Sequence, residues 1–175
     1  DGAPRGRTGS NRFVYLAVPA TSPEGKNVQL MIGGLTEDPE DAPGPFGVYQ
    51  LATTHVMKRS STGGAGPVLD SQDWVFGADT GEHLEMHIEY ERGVGTRRAP
   101  GEVMFYSARN PSFFQISRQE QVLDILRNVT TSPPDRVKAF SFTGGGGGWA
   151  ALFDGTERVL SWDNIVWVNR SVSVP

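Results

Sequence analysis

The chain has 175 residues, a net charge of −4 and no cysteine. It is long enough to bury a core, has no disulfide or thiolate site, and lacks the basic surplus of a general nucleic-acid binder. No apolar run approaches the roughly 18 residues that span a bilayer.

The 22 glycines and 12 prolines, about a fifth of the chain, suit short strands joined by turns. Residues 1–11, "DGAPRGRTGSN", lack apolar periodicity and read as an N-terminal arm ahead of a single β-rich domain over 12–175. Such an arm cannot order itself by burying its own surface. Contact with a neighbouring subunit or a partner is the expected source of order, with Arg5, Arg7 and Arg12 meeting acidic groups. The chain starts at Asp1 without methionine, as processing or an internal start would leave it. Sequons at Asn128-Val-Thr and Asn169-Arg-Ser point toward a secreted protein.

"RFVYLAV" (12–18) and "NVQLMIGG" (27–34) are the first strand candidates. The acidic loop 35–47 follows, with Glu37, Asp38, Glu40 and Asp41 expected in solvent. Residues 46–59 read as a long strand or a bent pair, 60–67 as a flexible loop, and 68–78 as a strand closed by "ADTGE".

From His83 to Glu91 apolar and polar residues alternate without a break, the signature of a half-buried strand. Leu84, Met86, Ile88 and Tyr90 form its expected core face, with Val166, Val168, Phe105 and Phe140 or Phe142 as company. His83, Glu85, His87, Glu89 and Glu91 form the other face. "RGVGTRRAPG" (92–101), holding Arg92, Arg97 and Arg98, is expected to return the chain, with short strands at 102–108 and 112–116.

Ser117, with Glu120 three residues on, forms a capping-box pattern ahead of Val122, Leu123, Ile125, Leu126 and Val129. That spacing predicts a short α-helix near residues 118–128, stopped by "TTSPPD". Strands resume at 136–142, in a hairpin around Asp154-Gly155 (152–160), and at 164–174. The expected fold is mainly β: a single antiparallel β-barrel or β-sandwich of about 8–10 strands with that one helix.

Three features bear on function. His83, Glu85 and His87 share a strand face at about 6.6–7 Å per two residues, near enough to converge on an ion if His55, Asp70 or Asp73 joined them. Solvent exposure is the simpler account, and we expect neither metal nor cofactor. If that face lined a barrel interior, the same three residues would suit acid/base chemistry of an isomerase, cyclase or lyase type. The run "FTGGGGGW" (142–149) lacks the residues of a phosphate-binding loop and reads as an interstrand loop; Gly146, Gly147 and Trp149 are its candidate contacts to a sugar or small polar ligand. No complete catalytic set assembles from one strand. The expected function is therefore a non-catalytic β-rich binding or assembly module, taking a glycan, a small polar ligand, a protein partner or its own copy as homo-oligomer, with the small barrel enzyme as the alternative.

Overall fold

The structure is a computed structural model that describes residues 12–39, 46–131 and 135–174. The N-terminal arm, Glu40 and Asp41 of the acidic loop, and positions 132–134 of the proline turn lie outside the described residues.

The chain is mainly β, in two sheets that pack as a sandwich and do not close into a barrel. The strands are β1 (Phe13–Thr21), β2 (Asn27–Thr36), β3 (Tyr49–Leu51), β4 (Thr54–Thr62), β5 (Leu69–Gly77), β6 (His83–Glu91), β7 (Thr96–Ser107), β8 (Phe114–Arg127), β9 (Val137–Gly145) and β10 (Ser161–Ser173). One sheet runs β1-β2-β7-β8-β10, with β3 also on β2; the other runs β4-β5-β6-β9. Neighbours are antiparallel except at β2–β3 and β2–β7, which are parallel.

The alternation over 83–91 is realised as β6. Met86, Ile88 and Tyr90 are buried between the sheets and Leu84 is half-buried. Opposite them lie Trp74, Phe140 and Phe142 of their own sheet, and Leu126 and Trp162 of the other. The remainder of the expected company is different. Val166 and Val168 are exposed on β10, and Phe105 packs in a separate cluster around Met31, Phe46, Val48 and Phe113. A third cluster joins Val14 and Leu35 of one sheet to Phe76 of the other, with Trp149.

The predicted helix at 118–128 is a strand instead. β8 runs straight through it, with Ser117 buried opposite Val103 on one side and Val172 on the other, so Ser117 caps nothing. Glu120, the other half of the capping pattern, pairs with Arg97. The apolar run fits both states, because a central strand covered on both faces shows continuous apolar residues rather than alternation. Here Leu123 and Leu126, on opposite faces, are both buried, and pairing along both edges of β8 overrides a local helical pattern.

Two further expectations are corrected. The return loop 92–101 is short, since β7 starts at Thr96. Asp154-Gly155 does form a turn, in which Asp154 accepts the Thr156 N–H at 2.9 Å, but 152–160 has no strand pairing and no hairpin.

Ile88 is fully buried at the centre of the main cluster. Ile88→Ala should lower unfolding free energy by about 2–5 kcal/mol in urea denaturation, against less than about half a kcal/mol for an exposed position.

Candidate functional site

β6 aims its polar face away from the core. His83 and Glu85 are exposed and His87 is half-buried. His87 Nδ1 lies 2.7 Å from Asp73 Oδ1, directly across on β5, and its Nε2 lies 3.5 Å from Glu89 Oε1. His83 Nδ1 meets only the Gly81 carbonyl oxygen, at 3.3 Å. His55 shares the opposite face of the sheet with its neighbour Phe76, and its Nδ1 sits 3.1 Å from Glu37 Oε2. Asp70 also points inward and is held by Arg92. Of the extra ligands that the sequence offered, Asp73 alone joins the face. Among the described residues no three His, Asp or Glu side chains converge as an ion requires. The His87–Asp73 pair lies on an open sheet surface, where water is free to compete for any proton it handles.

The glycine-rich run ends β9 and enters a single 3-10 turn, Gly147–Trp149. Glu82, a buried carboxylate, organises it. Glu82 accepts the Gly148 N–H at 2.8 Å, the Gln50 side-chain amide at 2.8 Å and the Thr80 hydroxyl. Those donors, the Thr80 hydroxyl foremost, lower its pKa from 4.5 to about 2. The glycines are required by this close approach. At Gly146 (φ 68°) a Cβ would stand 2.1 Å from the Gly81 carbonyl oxygen, and at Gly147 (φ 48°) 2.5 Å from the Glu82 carboxyl carbon. Trp149 is only 4% exposed, packed among Val14, Leu35 and Phe76. Its ring is part of the core, so the loop presents solvent with backbone rather than an aromatic face.

The interior turns polar at the far end of β5 and β6. Arg92 binds Asp70 through Nε at 2.9 Å and Nη2 at 2.7 Å, and Nη2 also reaches Ser61 Oγ at 2.8 Å. The Arg92 guanidinium, followed by Ser61, holds the Asp70 pKa below its usual value. Gln72 Nε2 donates to Tyr90 Oη (3.1 Å) and Asn164 Oδ1 (2.9 Å) and its Oε1 accepts from Trp74. Asp124, 1% exposed inside the sandwich, takes Arg136 Nη2 at 2.8 Å and the Gly93 N–H at 2.8 Å. Gly93 has no room for a side chain: a Cβ would lie 2.3 Å from Arg136 Nη1. Between these groups opens a cleft of about 380 Å³, lined by Arg59, Asp70, Tyr90, Arg92, Asn164 and Val166 among others. The sequence signals this network only faintly, through the charge of Asp124 amid the apolar residues of "VLDIL".

β10 forms one wall of that cleft and ends its sheet. Its first part is anchored inward by Trp162 and Asn164. Beyond them, Ile165, Val166, Trp167 and Val168 are 45%, 60%, 45% and 43% exposed. From Asn164 to Asn169 there is no charge and no proline. Among the described residues nothing pairs with its outer edge. Compared with family models, with curated proteins and with solved structures, the chain has no match in any of the three.

Two measurements check this description. Because the folded pKa of Glu82 is depressed, its contribution is present above about pH 4.5 and is lost as pH falls toward about 2. Glu82→Gln should therefore flatten the decline in stability across that window, seen in denaturation midpoints against pH. Asp124→Ala removes the acceptor of Arg136 and of the Gly93 N–H, and should cost on the order of 3 kcal/mol in the same assay.

Proposed function

We propose that this chain is a non-catalytic binding and assembly module that accepts a strand from another polypeptide along the free edge of β10. The supporting observation is the edge itself: four consecutive large apolar residues, Ile165 to Val168, half exposed on the last strand of a sheet. An unpaired strand edge is a template for another chain, and natural edges are normally blunted by charge, proline or short length. The other outer strands carry such devices. β1 contains Pro19, β4 contains Lys58 and Arg59, and β9 contains Lys138. β10, at 13 residues, has no proline, and its two charges, Asp163 and Arg170, flank an uncharged stretch from Asn164 to Asn169. Acid/base catalysis on His83, Glu85 and His87 has less support, because that face is open and the described residues offer it no enclosing wall.

Strand addition draws its affinity from main-chain hydrogen bonds and tolerates side-chain variation. A fluorescein-labelled, lysine-flanked Thr-Val repeat peptide should therefore bind saturably below about 1 mM by anisotropy. Trp167→Lys with Val168→Lys should abolish binding while thermal unfolding stays near wild type. His83→Ala with His87→Ala should leave binding intact. No binding, or binding indifferent to the changes on β10, overturns the reading.

A further inference from the structure

We propose that the strand accepted by β10 is β10 of a second copy, antiparallel about a two-fold axis normal to the sheet, with Asp163 facing Arg170 of that copy. This rests on the reading of β10 as a docking edge and specifies the partner and its register. A two-fold axis leaves each residue on its own face of the sheet. Every residue of β10 must therefore meet one that projects on the same side.

Asp163 and Arg170 are seven apart, and on a regular strand they would project to opposite faces. β10 is not regular. Its register with β8 slips between Ile165, opposite Leu123, and Trp167, opposite Val122. The slip puts Asp163, Ile165, Val168, Arg170 and Val172 on one face, opposite Ile125, Leu123, Gln121, Gln119 and Ser117. Trp162, Asn164, Trp167, Asn169 and Ser171 fall on the other.

With the two-fold axis between Val166 and Trp167, every facing pair outside the slip then matches. Asp163 meets Arg170 of the second copy, Asn164 meets Asn169, and Ile165 meets Val168. A register one residue to either side sets Ile165 against Trp167 or Asn169, which project to the wrong face. Charge agrees with the chosen register. Arg170 has no ion-pair partner among the described residues, whereas Asp163 is the carboxylate gathered by Arg98 (3.1 Å) and Arg127 (3.8 Å). At the centre, Trp167 of the second copy lies across from Val166, at the mouth of the cleft that Val166 lines with Arg59 and Arg92. The exposed apolar group of each copy is thus covered by that of the other.

The test is charge exchange in the full chain, made without a glycan because Asn169 opens a sequon on this strand. Sedimentation equilibrium should show wild-type mass rising from 19.0 kDa toward twice that value between about 1 and 100 μM, the range of a modest interface. Arg170→Asp, which breaks no ion pair within the chain, and Asp163→Arg should each weaken self-association at least about tenfold. An equimolar mixture of the two variants should regain it. In the mixed dimer the introduced arginine faces the introduced aspartate at one end, and Asp163 faces Arg170 at the other. Wild type that stays monomeric, single variants that associate like wild type, or a mixture no heavier than its components each overturns the proposal. A monomer that still binds the Thr-Val peptide removes the second copy but keeps the docking edge. A monomer that binds no peptide removes both.

Discussion

Backbone pairing along β8 is the constraint on which the rest of the molecule depends. Of its 14 residues, those from Phe114 to Leu123 lie along β7 and those from Ile116 to Arg127 along β10. The pairing carries Leu126 into the core beside Met86, Ile88 and Tyr90. It also carries Asp124 inside the sandwich, where an unpaired carboxylate would be too costly to tolerate. Arg136 is brought in to meet it, bonding the Glu91 and Ile125 carbonyl oxygens as well, and Gly93 must be bare for the guanidinium to fit. One strand placement thus dictates an ion pair, a glycine and one end of the cleft.

The same pairing gives β10 its two characters. Where it faces Leu126 and Asp124 it belongs to the core, through Trp162 and the Asn164–Gln72 bond. Past the slip at Val166 it runs on beside a part of β8 that carries Gln119, Glu120 and Gln121, and its apolar side chains are left half in water. Apolar side chains beside free backbone groups leave that edge open to pairing by another chain.

Features with a chemical look in the sequence have structural partners. His87 completes a cross-strand pair with Asp73 on the open face of its sheet. The glycine run is a tight wrap around the Glu82 carboxylate, and the tryptophan that follows closes the core. Glu82 itself carries no signal in the sequence beyond its place beside a turn, although its hydrogen-bond donors hold its carboxyl well below the usual range.

Strand β6 is legible in the sequence because alternation is a local property: each side chain reports its own face, and His83 to Glu91 needs no distant contact to be read. The turns at "ADTGE" and "GGAGP" are legible for the same reason, since glycine and proline act on their own backbone, although β4 runs on through Ser60 to Thr62, which the sequence assigns to the loop. Only the tertiary structure decided the state of residues 118–127. Val122, Leu123, Ile125 and Leu126 suit a helix stripe and a doubly covered strand equally, and flanking pairing with β7 and β10 breaks the tie. Only the tertiary structure, likewise, chose which polar groups go inside: Asp124 meets Arg136, 12 residues away, and Glu82 draws on Gln50 and Gly148, 32 and 66 residues away. Its choice of β10 as an edge is a statement about which neighbour a strand lacks. No residue carries that information alone, because it is a property of the whole sheet order.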